Sequence, residues 1–571
     1  MATKATGVTP VWRIAALSRV AMVLLMLTFD ALVDDYDTSG RLSPDDGVSG
    51  KSSVSDEHLR SPSSPLCAAV EGLVTWDAVY FQRISEVGYE HEQTHAFFPL
   101  IPAVTRGLGS LGASASSALA GATSSDGGNG MKTHPPPRQS RRCARAASAL
   151  LISNGAHVAA AVVLERLGTL VLEGDDDVAR SAAVLFALNP ASVFHSAPFY
   201  TESVFALAGF AGFYFLELAG ARFASESATY SAFSVWNRNG AALCFALACA
   251  ARSNGALNGL VLAHDFFARV LPSVAEAAAR GSLKKKNGLE KNGKRGLGKN
   301  AREASLASVL VLPLFAATFA FAARCATMLA PLFAVQLYGY RTYCARALGA
   351  ETPAWCGRWR PFPDVYAHVQ SHYWNVGFLR YYEAKQIPNF LLAAPALAVS
   401  ASAGRSWWTA FRSNTHNARK RDENEPTDYS YAGTASRRGG SAGDGGGFPN
   451  KNASLKRKRN IAYGSERDDA WMLSPSVRPY LFKWAVMSVV ALLVMHVQVT
   501  TRFLSVTPGI YWFLAKRGFA ELEREKSAGE RKRKKTSGKR RESVWRRAVT
   551  TYSISFFMLG ALLFPTFYPW T

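Results

Sequence analysis

Long apolar runs alternate along this chain with strongly basic stretches rich in Gly and Ser. A helix needs roughly 20 apolar residues to cross a bilayer, and several of these runs reach or exceed that length. Hydrophobic residues make up 48% of the 571 residues and charged residues 19%. The 33 Phe, 20 Tyr and 13 Trp are too many for a disordered chain. The alternation therefore predicts an all-α polytopic membrane protein with about nine to eleven transmembrane helices.

Basic residues are concentrated in a few segments, although the whole chain carries a net charge of +23. The positive-inside rule predicts that these segments are cytosolic loops or insertions. They are 112–145, 272–304, 404–478 and 516–547. Few aromatic residues lie among the basic ones, so a nucleic-acid partner is not expected. The acidic segment 34–96 is predicted to be the first lumenal loop, and 339–386 a second one.

Three features concern topology and covalent links. The stretch Val11–Val33 has no visible cleavage site of small residues, which predicts a retained first span. Region 146–219 fits either three crossings or two crossings and a re-entrant piece. The seven cysteines show no metal-binding spacing. Cys344 and Cys356 share one predicted lumenal loop, where either a disulfide or two free thiols are compatible with the sequence.

The end of the first predicted lumenal loop carries residues suited to chemistry at a membrane surface. Trp76 and Asp77 are followed by Arg83, then by Gly88-Tyr89, and then by His95 directly before an apolar run. An aspartate beside aromatic rings is able to act as a general base towards a sugar hydroxyl. An arginine nearby is suited to a lipid-linked phosphate. The alternative is an interfacial belt of aromatic residues with a few charged neighbours.

Four sequence blocks resemble the GPI mannosyltransferase 2 family, also called the PIG-V family. One is the Trp76-Asp77 block, which runs on to His95-Ala96-Phe97-Phe98-Pro99. The others are Asn189-Pro190-Ala191-Ser192 with Tyr200-Thr201-Glu202-Ser203, Ala251-Arg252-Ser253-Asn254-Gly255, and Gln370-Ser371-His372-Tyr373-Trp374-Asn375 continuing to Asn389. The resemblance covers most of the chain, whereas the basic insertions match nothing in the family.

The resemblance implies a GT-C-like bundle of helices with a catalytic first lumenal loop, in the endoplasmic reticulum membrane. It implies transfer of the second mannose, in α-1,6 linkage, from dolichyl-phosphate mannose to the mannosyl-glucosaminyl-phosphatidylinositol lipid. A β-linked donor and an α-linked product imply inversion in a single displacement. No cofactor and no metal ion are expected, and Asp34-Asp35-Tyr36-Asp37 is interpreted as the start of a solvated loop. Whether an accessory membrane subunit is needed stays open.

The resemblance also suggests roles for individual residues. Asp77 is the candidate general base, and Trp76 packs beside it. Glu202 is the rival base, with a helix capping role as its alternative. The candidates for substrate contacts are Arg83, His95, Tyr373, Trp374, Asn375 and Arg380, for which interfacial anchoring is the alternative. Arg252 and Asn254 lie inside an apolar run, where a buried charge is costly, so a structural or phosphate-binding role is expected.

Three other functions are compatible with parts of the pattern. One is another GT-C mannosyltransferase, acting on N-glycan precursors or on proteins. A second is a polytopic transporter of lipids or sugars, which explains broken helices but predicts an internal repeat that the sequence lacks. A third is a membrane scaffold whose basic loops bind anionic headgroups.

Overall fold

The protein is described here by a computed structural model. It describes residues 9–36, 64–123, 138–221, 232–280, 299–345, 353–357, 364–424, 469–518 and 544–570. Within these ranges the regular structure is helical and contains no strand. The all-α membrane fold expected from the sequence is therefore confirmed for this part of the chain.

The helices are numbered here in chain order. The first nine are α1 Val11–Leu32, α2 Pro65–Gly72, α3 Asp77–Val87, α4 Leu100–Thr123, α5 Arg138–Val171, α6 Asp176–Ala187, α7 Ser192–Ser196, α8 Glu202–Ala221 and α9 Ala232–Ala251. The others are α10 Gly259–Asp265, α11 271–280, α12 Lys299–Tyr343, α13 Val365–Tyr373, α14 Ile387–Asn424, α15 Arg478–Leu493, α16 Thr500–Leu504, α17 508–518 and α18 Val544–Leu563. A π-helical turn, Phe266–Val270, joins α10 to α11.

Five helical segments are long and apolar enough to cross a membrane, judged by length and composition within the described ranges. They are Val11–Leu32, Ser140–Val171, Glu202–Gly220, Val311–Tyr343 and Ala384–His416. In the fourth, large apolar side chains such as Leu312 and Phe319 point outward and are each 68% exposed. Lipid is the solvent that such a surface requires. The expected nine to eleven crossings stay a prediction.

The chain divides into two compact units. One consists of 1–400 and 479–571 and contains every residue of the site described below. The other is 401–478, where Trp407 and Trp408 stack on Phe411 with ring centroids 5.3 and 6.0 Å away. It includes the described parts, 404–424 and 469–478, of one predicted basic loop.

A disulfide between Cys67 and Cys143 conflicts with one part of the predicted topology. Cys67 belongs to the first predicted lumenal loop, whereas Cys143 belongs to 112–145, which was expected on the cytosolic side. Two covalently linked residues lie on one side of the membrane, so the two predicted sides are incompatible at Cys67 and Cys143, and the sides of both segments stay predictions. One basic residue near this end has acidic partners: Arg142 Nε lies 3.8 Å from Glu71 Oε2 and 3.7 Å from Glu86 Oε1. The positive charge of Arg142 is therefore offset by two acidic residues of the first predicted lumenal loop.

The ambiguous region 146–219 forms α5, then α6 and α7, and then α8. After α5 the chain reverses direction and runs back alongside this helix. It thereby brings Tyr200 next to Ser153, whose Oγ donates to the Tyr200 carbonyl oxygen at 3.3 Å. Residues 153 and 171 of α5 are separated by about 27 Å at 1.5 Å per residue, nearly the thickness of a bilayer core. The region therefore runs in three successive helical stretches, of which the middle one is broken, and the number of membrane crossings stays a prediction.

The break between α6 and α7 is stabilised by polar side chains. Asn189 Nδ2 donates to Phe186 O at 2.7 Å, and its Oδ1 accepts from the Ala191 N–H at 2.8 Å. The buried Arg19 of α1 donates to Ser192 O at 2.9 Å and to Ser196 Oγ at 3.0 Å. Backbone groups released by a broken helix need such partners where no water is available.

The Cys67–Cys143 bond generates a stability prediction. Cys67→Ala, Cys143→Ala and the double variant are expected to lose the same free energy of unfolding, about 2–4 kcal/mol, because each removes the same cross-link. The measurement is the thermal midpoint of the detergent-solubilised full chain. Cys325→Ala, which removes a free thiol, is the control. Unchanged midpoints in all three disulfide variants contradict the prediction.

Candidate active site

A cavity of about 1140 Å³ opens between the helices of the larger unit. Most of its wall is apolar, including Phe81, Phe97, Val490 and Val494. Its polar lining comes from distant parts of the chain: Asp77, Thr201, Arg252, Ser253, Asn254, Gln370, Asn389, His496, Gln498 and Arg502. A mainly apolar cavity with a small set of convergent polar groups is the usual form of a ligand site.

Asp77 is placed in the cavity wall by an unusual turn of the backbone. It is the first residue of α3, and Trp76 before it has a φ of 55°. Positive φ is uncommon for a residue with a side chain and often occurs at functional sites. Trp76 is fixed by its Nε1, which donates to Phe564 O at 3.2 Å. The Asp77 carboxylate also lies at a helix N-terminus, where negative charge is favoured.

Two arginines and two carboxylates meet at one end of the cavity. Arg502 Nη1 donates to Asp77 Oδ2 at 3.0 Å, and its Nε donates to Glu202 Oε1. Arg252 Nη1 donates to the same Glu202 oxygen. The Arg502 guanidinium also lies 5.0 Å from the ring centroids of Phe194 and Tyr200, a cation–π arrangement. Buried charges require such partners because desolvation is otherwise very costly.

The two candidate bases differ in their surroundings. The Glu202 side chain is 1% exposed, and one oxygen accepts from both arginines. The Asp77 side chain is 38% exposed and has one arginine partner among the described residues. Asp77 is therefore accessible to a ligand in the cavity, whereas Glu202 is held as a counterion. A general base has to reach the proton that it removes.

Arg252 and Asn254 lie where a helix is interrupted. Helix α9 ends at Ala251, Arg252 is extended with a φ of −156°, and a 3-10 turn follows over Ser253–Asn258. The interruption directs these side chains to the cavity wall. Both amide atoms of Asn254 are buried and have no hydrogen-bond partner in the described part of the chain. A buried unpaired amide is costly, so both atoms are available to a polar ligand in the cavity.

Two other predicted residues, Arg83 and His95, lie outside the cavity lining. Arg83 is paired with Glu90 through two hydrogen bonds of 2.7 and 3.0 Å. His95 is fully buried among aromatic rings, with the Tyr89 ring 4.6 Å and the Tyr343 ring 5.3 Å away. Burial lowers the pKa of His95, so the ring is neutral near pH 7. Their positions suit them to supporting the loop.

The 370–390 block divides between the cavity and the surface. Trp374 lines the cavity, and its carbonyl oxygen accepts from His496 Nε2 at 2.6 Å. Tyr373 is 45% exposed and does not line the cavity. Asn375 has a φ of 51°, which turns the chain, and neither it nor Arg380 belongs to the lining. Arg380 Nη1 donates weakly to Ser371 O at 3.4 Å.

Arg502 is the most consequential site residue that the sequence interpretation did not single out. A charged residue between two apolar runs was the available signal, but its carboxylate partners lie 300 and 425 residues away in the chain. The structure also contains the Cys344–Cys356 disulfide, which the sequence left undecided. Within the described ranges, no group of three or more His, Cys, Asp or Glu side chains is arranged to hold a metal ion.

The profile of a family described as "Mannosyltransferase (PIG-V)" matches residues 8–120, 139–280 and 307–571. The chain belongs to this family. A mouse relative named "GPI alpha-1,6-mannosyltransferase 2" is 29% identical over 98% of both chains. A relative of the same name from Cricetulus griseus is 30% identical over 91% of this chain and 94% of its own length. The resemblance seen in the four sequence blocks is confirmed, and the chain is a membrane glycosyltransferase.

Among solved structures, the archaeal oligosaccharyltransferase AglB from Archaeoglobus fulgidus superposes with a TM-score of 0.39 at 14% identity. The alignment covers 97% of this chain, which spans only 56% of the AglB chain.

The contrast between the two carboxylates generates a prediction about stability. Glu202→Gln is expected to lower the free energy of unfolding by about 3–5 kcal/mol, because it leaves two arginines short of a buried counterion. Asp77→Asn, which removes a partly exposed charge, is expected to cost less than about 1 kcal/mol. Thermal midpoints of the solubilised chain measure both. Glu276→Gln, at an exposed pair with Arg280, is the control, and equal losses for Asp77 and Glu202 contradict the assignment.

Proposed function

We propose that this enzyme transfers the second mannose, in α-1,6 linkage, from dolichyl-phosphate mannose to the GPI-anchor precursor. We place the reaction on the lumenal face of the endoplasmic reticulum membrane. The names of the mouse and Cricetulus griseus relatives support the reaction and the acceptor. The observation that carries the mechanism is the accessible Asp77 carboxylate beside Arg502, with Arg252 joined to Arg502 through Glu202, in a mainly apolar cavity. Two disulfides are consistent with an oxidising lumen.

The proposed reaction is a single displacement. The acceptor hydroxyl loses its proton to Asp77, and its oxygen forms a bond to C1 of the donor mannose. The bond between C1 and the phosphate oxygen breaks at the same time, and dolichyl phosphate leaves. Attack opposite the leaving group converts the β-linked donor into an α-linked product. General base catalysis by a positioned carboxylate typically contributes a factor of about 10²–10⁴.

Arg252 and Arg502 are proposed to hold the donor phosphate. Both line the cavity, and both are kept in place by Glu202. Guanidinium groups match the oxygens of a phosphate and stabilise the charge that develops on the leaving group. They supply the positive charge that a metal ion provides in other transferases, so we propose a reaction that needs no metal. Full activity in excess EDTA is the corresponding expectation.

The rest of the cavity suits lipid-linked substrates. Leu392, Val490 and Val494 form part of an apolar wall that is able to pack against a polyprenyl chain. The buried Asn254 amide is proposed to pair with sugar hydroxyl groups, and Trp374 to pack against a sugar face. Removing an apolar lipid chain from water within such a wall is favourable in proportion to the area buried.

Complementation tests this function. Cells lacking the second GPI mannosyltransferase receive the wild-type chain, Asp77→Asn or Asp34→Asn, an exposed acidic residue outside the cavity. We expect wild type and Asp34→Asn to restore surface GPI-anchored protein and to clear the one-mannose GPI lipid. Asp77→Asn is expected to lower transfer at least about 100-fold in membranes supplied with dolichyl-phosphate mannose, because the base is lost.

The outcomes separate the alternatives. A well-expressed wild type that leaves the one-mannose lipid in place contradicts the acceptor assignment and favours another mannosyltransferase. Full activity of Asp77→Asn contradicts the proposed base. Complementation without mannose transfer in isolated membranes favours a transporter.

A further inference from the structure

A buried histidine behind the ion pairs connects two of the segments that carry them. His195 lies in the short helix α7 and is fully buried. Its Nδ1 lies 3.2 Å from Ser203 Oγ, and its Nε2 lies 3.0 Å from Ser505 Oγ. Ser203 directly follows Glu202, and Ser505 lies three residues after Arg502. One imidazole ring therefore spans the two segments that hold the central ion pair.

The contact between His195 and Ser505 extends to the backbone of Arg502. Ser505 Oγ donates to the Arg502 carbonyl oxygen at 2.7 Å. The neighbouring residue Phe194 supports the same arginine from another side, since the guanidinium lies 5.0 Å from its ring centroid. Helix α7 thus contacts Arg502 at its backbone, through a serine, and at its charged end. His195 itself does not line the cavity, so it has no direct access to a ligand there.

We propose that His195 is a positioning residue for Arg502. Its ring fixes the distance between the start of α8 and the end of α16. It thereby sets the position of the Arg502 guanidinium, which bonds to Glu202 on one side and faces the cavity on the other. This inference rests on the proposed function, in which Arg502 holds the donor phosphate. Binding groups need support from a second layer of hydrogen bonds, because an error of about 1 Å in their position is costly.

The chain offers a matched control in His157. This residue is also fully buried, and its ring centroid lies 4.9 Å from that of His195. Neither of its ring nitrogens has a hydrogen-bond partner among the described residues. Replacing it changes the packing of the same cluster without cutting the link to Arg502.

The experiment measures steady-state transfer by the solubilised full chain with dolichyl-phosphate mannose and one-mannose GPI lipid. His195→Leu is expected to raise KM for the donor about tenfold, as expected for the loss of a hydrogen bond that orients a charged group. KM for the acceptor and both KM values of His157→Leu are expected to stay at the wild-type level. Fewer folded molecules lower the maximal rate but do not change KM, so instability alone does not imitate this result.

Conservative variants test the direction of the link. The amide of His195→Gln reaches the position of Nε2, near Ser505, whereas that of His195→Asn reaches the position of Nδ1, near Ser203. We expect the glutamine variant to recover more of the donor affinity, because Ser505 is the serine bonded to Arg502. The double variant His195→Leu/Ser505→Ala is expected to be no worse than His195→Leu, since both cut one link.

An unchanged donor KM in His195→Leu overturns the positioning role. If that variant does not fold, Ser505→Ala cuts the link without removing the ring, and an unchanged donor KM there overturns the role equally. These results require an active wild type and so are distinct from a failure of the proposed function. A wild type that transfers no mannose from this donor overturns that function and the role of His195 with it.

Discussion

The site depends on one buried guanidinium. Arg502 joins Asp77 to Glu202, and Glu202 joins Arg252, so that four segments distant in the chain meet at one end of the cavity. Two positive and two negative groups form this set, which has no net formal charge. Charges in a low-dielectric interior persist only when each has partners, and removal of one leaves another uncompensated. Neutrality within the set therefore lets the fold keep two arginines beside an apolar cavity.

Interrupted helices provide the polar groups that this arrangement needs. The break at Asn189 between α6 and α7 creates the short helix that carries Phe194 and His195. The interruption after α9 turns Arg252 towards Glu202. A continuous span presents side chains at regular intervals along a cylinder and leaves no free backbone group at mid-depth. Each break costs hydrogen bonds, which the neighbouring helix α1 restores in the first case through Arg19.

The features that the sequence predicted are those whose interacting residues lie close together along the chain. Local patterns predicted the apolar helices and singled out the family blocks and Asp77, because each of these depends on residues that are close in sequence. The contact between 112–145 and the first predicted lumenal loop was not foreseen, because Arg142 pairs with Glu71 and Glu86, which only folding brings near it. Arg502 was missed for the same reason: nothing adjacent to it in the sequence indicates its two carboxylate partners. His95 and Arg83 had suitable chemistry, but packing directs them away from the cavity.

Charge conservation connects the static site to the proposed reaction. The proposed donor is a phosphodiester with one negative charge, and in the proposed step the departing phosphate gains a second as its bond to mannose breaks. In the same proposed step Asp77 accepts a proton and loses its own negative charge. The total charge facing Arg252 and Arg502 therefore stays constant, while its centre moves from the carboxylate towards the phosphate. Arg502 already bonds to Asp77 and is held in place by Glu202. The shift of charge therefore requires only that its guanidinium move slightly from the Asp77 carboxylate towards the phosphate. Such preorganised charge avoids the reorganisation that water would have to undergo around the same step.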